Sequence, residues 1–255
     1  MKNSSMKDKK LILISLIIIA IIWILISNIV NNSIYLPKLS EVFREFINII
    51  TEKNFLKNIG SSLIRGIFSF LIALIFAVIL GIISSNNKIF YNFFYPINSI
   101  LKSIPTIAFI LIALIWVNKN YATYLIGIII AFPVLYESTL NSILNSKEAL
   151  WEMLDSFRVK YIDKLLNLYI QSIIISISQI ATSTFSLVLK VVIAGEVIGQ
   201  PNFGIGTAIQ GEKINFNTVG IFAWIIIVTI LCYISDSIIN ILVKRLLKGG
   251  RYLVD

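Results

Sequence analysis

Six long apolar stretches take up most of this chain, and they constrain its fold more than any other feature. Each is close to the roughly 20 residues that a helix needs to cross the hydrocarbon core of a bilayer. Backbone polar groups in hydrocarbon must be satisfied within their own segment, which favours helices. The predicted spans are residues 11–29, 61–84, 95–117, 122–144, 171–195 and 218–243. We therefore predict an all-α, polytopic membrane protein with six transmembrane helices, forming one domain over residues 1–255.

The distribution of basic residues predicts the orientation of these spans. Lysines precede the first span, and Lys and Arg follow the last. Because cytoplasmic loops are enriched in Lys and Arg, we expect both termini in the cytoplasm, which agrees with an even number of spans. The net charge of +9 does not indicate a nucleic-acid partner, since the basic residues flank apolar spans instead of forming one patch. Anionic membrane lipid is the expected partner of Arg158, Lys160 and Lys164.

Several kinds of chemistry are excluded by residue usage. The chain has no histidine and one cysteine, Cys232, so His-based metal sites, His general bases and internal disulfides are ruled out. No GxxxxGK[ST] phosphate-binding loop is present. We therefore expect no cofactor or metal on this chain, and active transport would draw energy from a partner or an ion gradient.

A charged amphipathic segment, residues 146–170, separates the fourth and fifth predicted spans. A charged side chain at the bilayer centre costs about 3 kcal/mol, so this segment should lie outside the hydrocarbon. Helical spacing gives it an apolar stripe beside its charges, a pattern that suits docking into the groove of a soluble partner. A solvated helix surface is the alternative. The residues expected to contact such a partner are Glu152, Leu154, Asp155, Phe157 and Arg158.

Ionisable residues within the spans usually face a cavity or a partner charge, and the sequence leaves both uses open. Arg65 is expected to snorkel toward the membrane surface, whereas Asp236 lies deep enough to need a partner. After the fifth span, glycines and Pro201 predict irregular backbone, which survives at membrane depth only inside protein or beside a water-filled cavity. The candidates for lining or gating a pathway are Glu137, Gln179, Lys190, Glu196, Gly204 and Gly206.

Together these stretches resemble permease subunits of ABC importers, in particular those of the nitrate/sulfonate/taurine type. The resemblance rests on LPKLSEVFREF, SSLIRGIFSFLIALIFAVILGI, SIPTIAFILIALIWV and VVIAGEVIGQPNFGIGTAIQ. The segment EMLDSFRVKYIDKLLNLYIQ resembles the "EAA" coupling motif of that family. In this alignment Glu152 takes the acidic position, Arg158 the glycine position and Gln171 the terminal proline position. A register that starts at Glu148 is the alternative.

The resemblance implies a type I ABC-importer permease fold with a cytoplasmic coupling helix. It also implies a homodimer in the bacterial plasma (inner) membrane, paired with a separate ABC ATPase that binds ATP and Mg and with an extracytoplasmic substrate-binding protein. The solute would be small and anionic, of the sulfonate, taurine or nitrate class. If Lys190 faces the cavity, its charge favours such an anion.

Two other functions remain open from the residues alone. An ion-coupled secondary transporter or channel of six helices could relay ions through Glu137, Lys190 and Asp236. Such a protein would have no use for the amphipathic segment between the fourth and fifth spans. A membrane enzyme is the other alternative, although the chain lacks histidine and any clustered pair of carboxylates.

Overall fold

The computed structural model describes residues 6–145 and 169–249, and within these ranges the chain is helical with no strand. The all-α prediction is therefore confirmed. In chain order the helices are α1 (Met6–Val30), α2 (Leu39–Thr51), α3 (Phe55–Asn86), α4 (Lys88–Ser103), α5 (Thr106–Trp116), α6 (Lys119–Leu144), α7 (Ile170–Gly199), α8 (Ile205–Ile214) and α9 (Thr218–Gly249).

Four helices among the described residues, α3, α6, α7 and α9, are long and apolar enough to cross a membrane. The pair α4 and α5 makes up to five if it counts as one span. The first predicted span is helical, but its shorter apolar part, Ile17–Val30, falls below the length of a span. The chain is thus a multi-pass membrane protein, and the count of six spans stays a prediction.

The third predicted span, residues 95–117, is interrupted between α4 and α5. Helices α4 and α5 meet at an angle of 102°. Ile104, at the break, has an extended conformation (φ −66°, ψ 126°), which is the conformation that a following proline favours. Pro105 then opens α5, whereas Pro96 lies inside α4 without ending it. The break therefore comes from Pro105, whose ring restricts the residue before it.

The chain divides into two compact units, and the first comprises Met1–Leu56 and Ala208–Thr229. In this unit the Trp23 indole donates a hydrogen bond to the Pro37 carbonyl (3.0 Å) and packs edge-on against Phe222. The Thr218 hydroxyl donates to the Ile34 carbonyl (2.8 Å). These contacts join the loop before α2 to the first turns of α9.

Acidic side chains meet in the same unit between α2 and the end of α8. The Asn217 amide donates to Glu212 (2.8 Å) and to Glu45 (3.2 Å), so it bridges the two carboxylates. Burial raises the pKa of the Glu212 carboxyl, the hydrogen bond from Asn217 lowers it, and the nearby charges of Glu45 and Glu52 raise it. The net shift is upward, so protonation of Glu212 relieves repulsion in this cluster as the pH falls.

The second unit comprises Lys57–Thr207 and Ile230–Asp255, and its centre is an antiparallel pair made by α6 and α7. Ser138 pairs with Ser176 (2.7 Å) toward the end of α6 and the start of α7. Toward their other ends, Gly195 lies beside Ile126. Leu144 and Ile170 therefore lie at the same end of the pair, and residues 145–169 connect them.

Candidate functional site

Side chains of α3 and α7 bind the backbone N–H groups of Gly204, Ile205 and Gly206, at the start of α8. Asn58 accepts from the N–H of Gly204 (3.2 Å), and Ser62 accepts from that of Ile205 (2.9 Å). The Glu196 carboxylate accepts from the N–H of Gly206 (3.0 Å). A helix leaves its first N–H groups without intrahelical partners, and its N-terminus favours negative charge. The residues that follow α7 thus turn back and dock on the end of α7.

Glu196 is fully buried and is neutralised by Arg65, which is 6% exposed. Arg65 Nη1 lies 2.7 Å from Glu196 Oε1 and also donates to the Phe203 carbonyl (2.7 Å). Ser62 Oγ lies 2.9 and 2.7 Å from the two carboxylate oxygens. The prediction that Arg65 snorkels is therefore wrong, because a buried carboxylate on a neighbouring helix satisfies it within the protein. Of the two uses left open for Glu196, its geometry matches the ion pair.

Both glycines of the predicted irregular segment allow α8 to approach α7 closely. A Cβ on Gly204 would lie 2.6 Å from Glu196 Cδ, and one on Gly206 would collide with the Ile193 carbonyl. The irregular backbone is shorter than the sequence suggests, since Gly206 already belongs to α8. Gln200 ends α7 in a left-handed conformation (φ 47°), with its N–H bound to the Glu196 carbonyl.

Glu137, in α6, forms a second ion pair away from this cluster. Lys102 Nζ lies 2.7 and 2.8 Å from its carboxylate oxygens, and the side chains of Lys102 and Glu137 are 48% and 41% exposed. Asn98 donates to the same carboxylate (3.2 Å) and is itself buried, with no partner for its Oδ1 among the described residues. This pair is therefore partly exposed on the surface of the chain, unlike the one at Glu196.

Gln179 and Lys190 lie on the exposed side of α7, apart from both ion pairs. Between them Ser186 donates a hydrogen bond of 2.6 Å to Asp236 in α9. The sequence predicts that Asp236 has a partner but does not identify it. In the structure this partner is Ser186.

An apolar cavity of about 840 Å³ lies between the second-unit parts of α3, α7 and α9. Phe70, Phe185 and branched aliphatic side chains form most of its wall, and two serines are the polar residues in it. None of the six predicted pathway residues lines this cavity. The structure thus places Glu196, Gly204 and Gly206 together at the start of α8, Glu137 in its ion pair with Lys102, and Gln179 and Lys190 on the exposed side of α7.

The part of the site that sequence reasoning missed is the packing face of α3. Small residues recur there every three or four positions and are buried, and Arg65 stands beside one of them. This spacing is readable in the sequence and would have placed Arg65 on the protein-facing side of the helix. The buried small residues are Ser62, Gly66, Ser69, Ala73, Ala77, Gly81 and Ser84.

The predicted coupling residues lie outside the described part of the chain, as do residues 146–168 of the segment that contains them. They are Glu152, Leu154, Asp155, Phe157 and Arg158.

Comparison with known proteins assigns the chain to a family. Residues 73–248, more than half of the chain, match the family described as the binding-protein-dependent transport system inner membrane component. The chain belongs to this family. A comparison with curated proteins gives no match.

As a binding-protein-dependent inner membrane component, the chain is a permease component of an ABC transporter with a type I permease fold. Permeases of this family work with ATPase and substrate-binding proteins and are generally not enzymes themselves. This assignment favours the ABC permease over the ion-coupled transporter and the membrane enzyme.

Proposed function

We propose that this chain is the membrane subunit of an ATP-driven importer for a small anionic solute of the sulfonate, taurine or nitrate class. It would act as a homodimer with both termini in the cytoplasm, and ATP would be hydrolysed on a separate subunit. The observation that carries the proposal is the family match over residues 73–248, which includes the predicted coupling segment.

The antiparallel pair of α6 and α7 supports a route for coupling. Residues 145–169 join the neighbouring ends of these two helices, so a force on that segment would act on both together. Packed elements move as rigid bodies, since well-packed interiors do not deform continuously. A partner bound to Glu152, Leu154, Asp155, Phe157 and Arg158 would thereby tilt α6 and α7 against their surroundings and alternate access to the path.

The two ion pairs support different roles at the ends of this helix pair. The buried Arg65–Glu196 pair holds the residues after α7, while the Lys102–Glu137 pair is half-exposed. Glu196, Gly204 and Gly206 would accordingly form a fixed support for the path, and Glu137, Gln179 and Lys190 would line it.

The test is co-purification of the chain in nanodiscs with a candidate ABC ATPase. Glu152→Lys combined with Phe157→Ala should abolish the complex while the permease still elutes as a single species in size-exclusion chromatography. The matched control is Glu52→Lys with Phe43→Ala, at exposed positions flanking and within α2 that the proposed topology puts on the opposite membrane face. If the unaltered chain fails to bind that ATPase, or the double variant binds it normally, the proposed coupling is wrong.

A further inference from the structure

A stripe of polar side chains runs along one side of α7 through the middle of the span. Its members follow helical spacing, and each is exposed or half-exposed although the helix is apolar overall. A polar stripe of this kind is unfavourable against lipid, where polar groups find few hydrogen-bond partners. The stripe therefore faces water or other protein. It comprises Gln179, Thr182, Ser183, Ser186 and Lys190.

Part of this stripe pairs with α9 in a regular antiparallel register. Thr182 donates to Asn240 (3.3 Å), and one turn later Ser186 donates to Asp236 (2.6 Å). One turn further the same register brings Lys190 opposite Cys232. Both Lys190 and Asp236 interact electrostatically with the Cys232 thiol, which agrees with this register. A cation and an anion thus stand one helical turn apart, about 5.4 Å along the axis.

Among the basic residues inside the predicted spans, Lys190 is the one that has no acidic partner in the described part of the chain. Arg65 pairs with Glu196 and Lys102 with Glu137, whereas Lys190 is exposed and forms no ion pair with any residue that the structure describes. Asp236 has a hydroxyl and no cation against it within the described ranges. A charge deep in a span normally has such a partner, because an unpaired charge is unfavourable in hydrocarbon. The two groups are therefore available to a ligand that carries both charges.

We propose that Lys190 and Asp236 form a solute site in the translocation path and that the solute is a small zwitterion. The Lys190 ammonium would bind the anionic group, and the Asp236 carboxylate would bind an amino group held a short carbon chain away. This inference rests on the permease function proposed above and narrows its solute class to amino-bearing anions.

Cys232 supplies a reporter for this site, because it is the one cysteine in the chain and lies within the register. The experiment measures the rate at which 2-(trimethylammonium)ethyl methanethiosulfonate labels Cys232 in the full chain in nanodiscs. Three probes are compared. Taurine carries both charges, ethanesulfonate carries only the anionic group, and ethylamine carries only the cationic group. We expect Cys232 to be labelled, and taurine to slow labelling at concentrations where the other two have no effect.

Two substitutions separate the roles of the charges. Lys190→Met and Asp236→Asn should each raise the half-protecting concentration of taurine about tenfold, as expected for loss of one charge-assisted contact. Lys244→Met removes a cation from the inner end of α9 and should leave protection unchanged. If Lys190→Met does not yield folded protein, Lys190→Gln replaces it with a polar side chain of similar length.

Three results would overturn the inference. An unreactive Cys232 would mean that the paired faces of α7 and α9 are not in contact with water. Equal protection by ethanesulfonate would mean that Asp236 binds no amino group. Absence of protection by taurine means that the site does not take a zwitterion of this size. ATPase co-purification is measured on the same preparation, so a failure of the permease assignment is seen separately from a failure of the site.

Discussion

Arg65 and Lys102 are both basic residues in predicted spans, yet their ion pairs differ in how much they contribute to the stability of the protein. The guanidinium of Arg65 is buried against the carboxylate of Glu196, which is itself fully buried. Lys102 pairs with Glu137, whose side chain is about half-exposed. Removing one partner of a buried pair leaves an uncompensated charge and destabilises by about 3–5 kcal/mol, whereas exposed pairs contribute about 0–1 kcal/mol. The distinction lies in solvation, because both pairs have the same 2.7 Å separation.

We accordingly expect Arg65→Met to lower the thermal midpoint of the purified permease strongly, and Lys102→Met to change it little. Adding Glu196→Gln to Arg65→Met should restore part of the loss, because the remaining buried charge is then removed. Intrinsic fluorescence of the four tryptophans during heating in detergent gives the midpoint. Equal effects of the two single substitutions would contradict the buried pair.

Gly206 offers a second test at the scale of single residues. Gly206→Ala places a Cβ against the Ile193 carbonyl and within 2.6 Å of Glu196 Cβ, so α8 must move off the end of α7. We expect a loss of about 1–3 kcal/mol, the usual cost of overpacking. In the same helix, Gly211 has no atom within 4 Å of an added Cβ. Gly211→Ala should stabilise by up to about 1 kcal/mol through helix propensity, and destabilisation by both variants would argue against the docking of α8.

At the scale of helices, the small-residue face of α3 determines how closely α6 and α7 can approach it. Ser69 donates to the Tyr124 carbonyl (3.0 Å), and Ser84 accepts from the Tyr136 hydroxyl (2.7 Å). A Cβ on Gly127 of α6 would lie 2.6 Å from Ser69 Cβ. Without a hydrophobic driving force between helices in lipid, close packing and interhelical hydrogen bonds are the main stabilising terms.

Two glycines of α3 therefore form a matched pair for testing this face. An added Cβ on Gly81 would lie 2.7 Å from Thr139 Cγ2, whereas one on Gly60 meets nothing within 4 Å. We expect Gly81→Ala to destabilise by about 1–3 kcal/mol and Gly60→Ala to be neutral or stabilising. Thermal midpoints in detergent compare the two, and a neutral Gly81→Ala would show that α3 and α6 are not in close contact.

For the whole molecule, the number of spans decides whether the two ends of the chain share a side of the membrane. The described residues contain four spans, or up to five with the bent α4–α5 pair, and α1 would supply the sixth. We expect epitope tags at both ends to be digested by protease in inside-out vesicles and protected in right-side-out vesicles. Protection of one tag and digestion of the other in the same vesicles would mean an odd number of spans.

A tag inserted after Asn32, between α1 and α2, provides the internal control for vesicle orientation. It should show the opposite protection pattern if α1 crosses the membrane. The same pattern as an N-terminal tag would mean that α1 lies along the membrane surface, and the six-span topology would then be wrong.

The fold class and the general function are readable from the residues alone. Apolar stretches of spanning length, the absence of catalytic and nucleotide-binding patterns, and the order of the motifs indicate an ABC permease, and the family match over residues 73–248 agrees. The helix break at Pro105 was also predictable, because proline restricts its own neighbour in the chain. Such properties depend on residues close together in sequence.

Which charged and polar side chains pair is visible only in the folded chain. Arg65 and Glu196 are 131 positions apart, and Ser186 and Asp236 are 50 apart, so no local pattern pairs them. Local hydropathy treats Arg65 as a cation that snorkels, whereas packing of α3 against α7 buries it beside a carboxylate. The same long-range packing leaves Lys190 without an acidic partner among the described residues. The free energy of a charge depends on its neighbours in space, and the fold is what supplies them.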